Sequence, residues 1–265
     1  MWTRTLAASA LVVVCSLSGA LLPAGRASMP TAPQPAPAAA PAPGPLAGRL
    51  IVIDPGHQLG NHNYPRQIGR LVPAGGFRKP CNTTGTATRG GFAEATLNIR
   101  VARLLRERLR SLGAEVRMTR TRNSQDLWGP CVDERGRAGN RAGADLKISI
   151  HGDGSTASGA RGFHVIRPTS RTGWTDDIAG PSRRLALDVR AGLRSRGLPV
   201  ANYTAGGDGL DARGDLGTLN LSDVPTVMVE LGNMRNPRDA RRMTSDRGRS
   251  TYAAGLVSGV RRFLG

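Results

Sequence analysis

Aromatic residues make up only 4% of this 265-residue chain, and lysine is nearly missing: of 37 basic residues, all but Lys79 and Lys147 are arginine. Sites that track single-stranded nucleic acid interleave basic side chains with aromatic platforms for stacking, so the first shortage argues against that class. The second weakens a functional reading of the +18 net charge. Arginine in place of lysine throughout points to genome base composition, and Arg100, Arg103, Arg106, Arg108 and Arg110 read as the solvated face of one helix. A cationic exported protein will still accumulate on anionic polymers such as a bacterial wall. Other absences narrow the field further. No HExxH motif and no internal repeat occur, and after residue 22 no apolar run approaches the length of a membrane span. Cysteine is scarce, at three residues. Cys81 and Cys131 lack the close Cys or His spacing of a zinc-thiolate site, and in an oxidising compartment such a pair predicts a disulfide.

Residues 1–27 read as an export signal. Arg4 precedes a mostly apolar run over 6–22, and small residues lie before an expected cleavage after Ala27. Residues 30–46 then hold seven of the 18 prolines, interleaved with alanine. Such a stretch builds neither helix nor ladder, so 28–47 is expected to be an extended tether. The remainder, 48–265, is roughly 218 residues and suffices for one cored domain. A monomer in the periplasm, wall or medium is expected, without stable membrane insertion.

Within that domain, strands are expected over 49–53, 114–119, 146–150, 160–167 and 226–229. Helices are expected over 94–112, 132–142, 182–196 (capped by Ser182) and 247–263, with Asn236-Pro237 opening another. Residues 58–92 read as a long loop with room for a hairpin, and 200–222 as loop with one short strand. Alternating strands and helices call for an α/β fold, a largely parallel or mixed sheet covered on both faces. Three polar residues follow apolar runs: His57 after Leu50-Ile51-Val52-Ile53, His151 after Leu146-Lys147-Ile148-Ser149-Ile150, and Glu230 after Thr226-Val227-Met228-Val229. Placed just past buried strands, they would share the C-terminal edge of the sheet, where open α/β folds carry their sites. Glu94, at a helix start, would turn its carboxylate toward the same edge.

Two imidazoles and one carboxylate form the ligand set of a hydrolytic zinc ion, and a second carboxylate nearby is needed as proton acceptor and donor. Each residue also has a plainer reading. A histidine after a strand is more often a hydrogen-bonded structural residue, Glu94 alone is a helix-start acid, and Glu230 alone could balance an arginine. His62, in the loop, and His164, inside a strand, are rival ligands.

At these positions the chain resembles the zinc-dependent N-acetylmuramoyl-L-alanine amidases of the amidase-3 type, which are bacterial wall hydrolases. The matching pieces are Ile51 through His57, Glu94 with Asn98 one turn later, Ala144 through His151, and Pro225 through Gly232 with Asn236 downstream. The resemblance covers essentially the whole folded domain. It implies zinc on His57, Glu94 and His151, Glu230 as catalytic acid/base, and peptidoglycan or muramyl peptides as substrate. The bond cut would be the amide between the lactyl group and L-alanine. Asn98, Asp153 and Arg213 are candidate substrate or supporting contacts. The chain departs from the family's pattern at Gly152-Asp153 and at Gly232-Asn233, both beside the site. Competing readings are a zinc carboxypeptidase or endopeptidase on the stem peptide, and a wall-binding protein without catalysis.

Overall fold

The computed structural model of the protein describes residues 12–16, 44–204 and 206–265. The expected signal and tether lie outside the described residues except at 12–16 and 44–47. The folded part starts earlier than residue 48. Leu46 is buried in the main core and its amide donates to Leu112 O, so the end of the expected tether is packed rather than extended. Among the described residues no helix is long and apolar enough to cross a membrane.

The chain runs β1 (Leu50–Pro55), α1 (Pro65–Gly69), β2 (Leu71–Pro73), β3 (Arg78–Pro80), α2 (Glu94–Ser111), β4 (Glu115–Met118), α3 (Val132–Arg137), β5 (Leu146–Asp153), β6 (His164–Pro168), α4 (Ala179–Arg194), β7 (Leu210–Arg213), α5 (Gly217–Asn220), β8 (Thr226–Asn233), α6 (Pro237–Thr244) and α7 (Asp246–Leu264). Six strands form one sheet in the order β4-β1-β5-β8-β6-β7. The first four are mutually parallel, β6 runs antiparallel to β8, and β7 is parallel to β6. This is the mixed α/β sheet that the alternation of elements implies.

Its two faces differ. Ile51 and Ile53, Leu146, Ile148 and Ile150, and Val227 and Val229 point into one large core with α2, α4 and α7. Leu97, Val101, Leu105 and Leu109 repeat every four residues along α2 and are fully buried there. Burying one such leucine stabilises by about 1.5–3 kcal/mol. The alternate residues of the same strands face the other way, toward a thinner layer that includes α5, where Ile166 and Met228 pack on Leu219. On this second face the alternation is polar: Asp54 on β1, Lys147, Ser149 and His151 on β5, and Glu230 on β8.

Several expectations need correction. The strand expected over 160–167 begins only at His164: Gly162 bends the chain at φ 93°, and Phe163 forms a separate parallel bridge to Val200, its amide donating to Pro199 O. Ser182 does not cap a helix: α4 starts at Ala179, and the buried Ser182 Oγ accepts from the Thr226 amide. The helix expected over 132–142 stops at Arg137. Gly139 takes φ 97°, and a side chain there would strike Val52 and Ala144, so only a short 3-10 turn follows over Asn140–Ala142. Residues 58–92 do contain the hairpin for which the expected loop left room, together with helical turns. They hold a 3-10 turn, α1 and the antiparallel hairpin β2–β3. Asn236 does cap α6, its Oδ1 accepting from the Arg238 amide.

Cys81 and Cys131 are joined, with their sulfurs 2.12 Å apart across 50 residues of chain. Loop-closure entropy for that length corresponds to about 4 kcal/mol, an upper figure. Replacing both cysteines with serine is expected to lower the unfolding free energy by up to that much, read as a lower denaturant midpoint. An unchanged midpoint would mean that the β3–α3 region is held by packing alone.

Candidate metal centre

The turn after β1 carries His57 in a left-handed conformation, φ 55°, which an L-residue adopts only where its surroundings compel it. Two buried arginines do so. Arg120 donates from Nε to Pro55 O at 2.9 Å and from Nη2 to Gly56 O at 3.0 Å and Ala95 O at 2.9 Å. Arg135, on α3, donates to Pro55 O at 2.7 Å and to His57 O at 2.8 Å. Arg135 also bonds Asp54 Oδ1 at 2.5 Å, and that carboxylate accepts from Thr119 Oγ1 and Ser149 Oγ besides. Burial alone would raise the Asp54 pKa, but Arg135 and the two hydroxyls outweigh it and hold the group far below the usual carboxylate range. Asp54→Asn would leave Arg135 with an uncompensated buried charge, so we expect a loss of about 3–5 kcal/mol near neutral pH. The wild-type contribution is present above the unfolded carboxylate pKa and lost as pH falls through the lower folded one. The gap between wild type and variant should therefore close on acidification. A gap independent of pH would contradict the assignment.

Glu94 opens α2 and sends Oε1 between the two imidazoles, 3.2 Å from His57 Nε2 and 3.0 Å from His151 Nδ1. Its Oε2 accepts from the Thr86 amide at 2.9 Å. One ligand atom from each of His57, Glu94 and His151 lies within 4.8 Å of the others, a spacing at which the three could hold one ion. On the far side of the His57 ring, Nδ1 meets two carbonyl-type oxygens, Asn82 Oδ1 at 3.2 Å and Thr83 O at 3.1 Å. Since those oxygens only accept, Nδ1 carries the hydrogen and Nε2 keeps a free lone pair toward Glu94. The disulfide brackets this arrangement, since Cys81 precedes Asn82 and Cys131 caps the helix of Arg135. Gly56 is required by close approach: a Cβ there would lie 2.2 Å from His151 Cε1.

Electrostatics follow from the contacts. For Glu94, burial opposes ionisation, but the two histidines overcome it and pull the pKa well below the usual value. At His57, burial lowers the pKa, yet Glu94 prevails and the net direction is up. At His151, burial wins and the direction is down. Glu230 pairs in register with His151 across β5–β8, and its Oε2 is buried without a hydrogen-bond partner. Burial, reinforced by the nearby Glu94 and Asp153 carboxylates, holds Glu230 well above the usual range, with Arg213 opposing. A cation at the three ligand atoms would relieve this crowding of negative charge, which is one reason the site fits a metal.

Four expected residues thus converge, although His151 and Glu230 sit inside strands and not past their ends. The β5–β8 ladder continues through His151–Glu230 to Asp153–Asn233, with an irregularity between. Asp153 and Arg213 do line the cleft. Of the two roles expected for Asn98, substrate or supporting contact, the geometry matches the second. Asn98 is fully buried, and its Nδ2 reaches Gly56 O at 3.2 Å and Glu94 Oε1 at 3.4 Å, so it braces the ligands from below. Of the rival histidines, His62 stays outside the three, and His164 lies opposite Glu230 on β6 with its Nδ1 buried and unpartnered. Asp54, Arg120, Arg135 and Asn82 hold supporting roles that no local pattern in the sequence assigns. The Lys147-Ser149-His151 alternation was the available signal that this face is polar.

Sequence and structure comparisons identify relatives of the chain. The sequence profile of the Amidase_3 family, described as N-acetylmuramoyl-L-alanine amidase, matches residues 51–262. The N-acetylmuramoyl-L-alanine amidase Rv3717 of Mycobacterium tuberculosis is 43% identical over 220 residues, covering 83% of this chain and 88% of that protein. Among solved structures, the apo form of the N-acetylmuramyl-L-alanine amidase Ami1 from Mycobacterium abscessus superposes with a TM-score of 0.76 at 40% identity, covering 83% of this chain and all of that one. Ami1 from Mycobacterium smegmatis gives the same TM-score at 38% identity, covering 83% of this chain and 98% of that one. With a profile match over nearly the whole folded region and relatives of this identity, the chain belongs to the Amidase_3 family.

Proposed function

We propose that the protein is a zinc-dependent peptidoglycan hydrolase that cuts the amide between the lactyl group of N-acetylmuramic acid and L-alanine of the stem peptide. The observation that carries this reading is the convergence of His57, Glu94 and His151 beside Glu230, in a chain whose relatives bear the amidase name. In this reading His57, Glu94 and His151 hold the zinc. Two nitrogens and one carboxylate oxygen are the donors of hydrolytic zinc sites that keep a position open. Zinc bound there would supply Lewis acidity toward a carbonyl oxygen and toward water.

The chain's own groups do the rest. Glu230 takes a proton from the attacking water and delivers it to the alanine nitrogen as the C–N bond breaks. The water oxygen ends in the lactyl carboxylate, and the peptide leaves with a free amino group. Arg120 and Arg135 fix the His57 turn, and Asn82 and Thr83 fix its tautomer. No covalent intermediate and no serine or cysteine nucleophile is required. The protein is exported after loss of residues 1–27, acts as a monomer, and has wall peptidoglycan as its partner. Hydrolysis of a defined muramyl peptide, with and without chelator, tests this reading by mass analysis of the products. Free lactyl-bearing sugar plus an intact peptide is expected. Loss of a terminal amino acid would instead indicate a stem-peptide peptidase, and no turnover a wall-binding protein.

A further inference from the structure

Glu230 stands in a row of three side chains that crosses the sheet on its polar face. His151 on β5 is its register partner on one side, and His164 on β6 is its partner on the other. The first is a proposed zinc ligand. The second has no part in the reaction described above, yet only 5% of it is exposed. Its ring meets that of Tyr203 edge to face, with centroids 5.9 Å apart and planes at 88°. Three atoms in this corner are buried without a hydrogen-bond partner: Glu230 Oε2, His164 Nδ1 and the Tyr203 hydroxyl. Natural proteins leave few such groups, because each costs free energy to bury unpaired. Their gathering around the residue assigned proton transfer points to a role in that chemistry.

Residues directly opposite in an antiparallel ladder share a face, with Cβ atoms about 4.5–5.5 Å apart. From that separation the short imidazole arm and the longer glutamate arm reach each other by side-chain rotation alone. Burial lowers the His164 pKa and outweighs the opposing Asp153 and Asp211 carboxylates, with Arg213 acting in the same direction as burial. The ring is therefore neutral near neutral pH and has one N–H to give. We propose that His164 is a positioning residue for Glu230, its Nδ1–H donating to Oε2 of the ionised carboxylate and so aiming the other oxygen at the attacking water. Contact with Tyr203 limits the rotation of the ring. The inference rests on the amidase reading and adds to it a residue that acts through Glu230.

His164→Leu fills a similar volume without a nitrogen. In the zinc-loaded protein its kcat should fall about tenfold or more, the scale of one hydrogen bond to a charged group, while KM and bound zinc stay at wild-type values. His164→Asn, whose amide nitrogen stands where Nδ1 does, should recover most of the loss. The same His164→Leu change made in Glu230→Gln should cost little further, since the carboxylate that the ring positions is already gone. A purely structural histidine would lower both backgrounds alike. The chain has four histidines, so the His164 ring can be followed by nitrogen NMR in the zinc-loaded wild type without substrate. Its Nδ1 proton should exchange slowly with water, and its signal should shift on Glu230→Gln. That spectrum does not depend on turnover, so failure of the amidase reading would show separately as the bond without hydrolysis. It also carries the test if His164→Leu does not fold. Wild-type kcat in His164→Leu, a loss that tracks zinc or KM instead, or an Nδ1 signal indifferent to Glu230 would overturn the proposal. So would an equal loss in Tyr203→Phe, which would move the role to the hydroxyl.

Discussion

Glu230→Gln is expected to retain zinc at wild-type stoichiometry while hydrolysis of a muramyl peptide falls by a factor of about 100 or more, within the range for a lost general acid/base. The substitution keeps the shape of the side chain and removes its capacity to take a proton. It should not disturb the ligands, because among the described residues Glu230 forms no hydrogen bond to His57, Glu94 or His151, and its Oε2 is buried without a partner. Burial first, and then the Glu94 and Asp153 carboxylates, already disfavour a charge on this side chain, so the neutral amide should leave the folded protein no less stable than wild type. Thermal unfolding and metal content measured on one sample would separate these effects. Near-normal turnover in the variant would move the proton-transfer role to another residue.

His57→Ala or His151→Ala should abolish both bound zinc and activity, because neither remaining pair of ligands forms the three-donor set that the site supplies. The two positions differ in what else they disturb. His57 lies on a strained turn gripped by Arg120 and Arg135, and alanine there keeps the backbone bonds while losing the ligand. His151 fills the space against Gly56, and its removal leaves a gap beside Glu94. Stoichiometric zinc surviving in the double variant would refute the ligand set, whatever the activity showed.

Much of this site was legible in the chain, and the reasons are local. An apolar run ending in a turn and a histidine is visible without knowledge of the fold, and so is an acid at the start of a helix with leucines every four residues. The alternation of Lys147-Ser149-His151 and Thr226-Met228-Glu230 is also present, but an apolar run that stops at Ile150 or Val229 does not show that the strand continues through the polar residue after it. The His151 and Glu230 side chains are set by the pleat of β5 and β8. The supporting residues were harder to see because their partners are remote in sequence: Arg135 reaches Asp54 across 81 positions, and Asn82 reaches His57 across 25. Ser182 shows the same limit. It looks like a helix cap, yet tertiary structure assigns its hydroxyl to the Thr226 amide, 44 residues away. The Gly139 break was missed because helical propensity over 132–142 says nothing of Val52, against which a side chain at 139 would collide.

In the proposed reaction, one zinc ion on His57, Glu94 and His151 makes this chain a lactyl–alanine amidase. This is tested most directly by stripping the purified protein with chelator and restoring zinc stepwise, while amide hydrolysis and bound metal are followed on the same sample. Activity should be absent without metal, rise in proportion to bound zinc, and saturate at one ion per chain. Full hydrolysis by the metal-free protein, or activity that appears only after a second ion has bound, would contradict it.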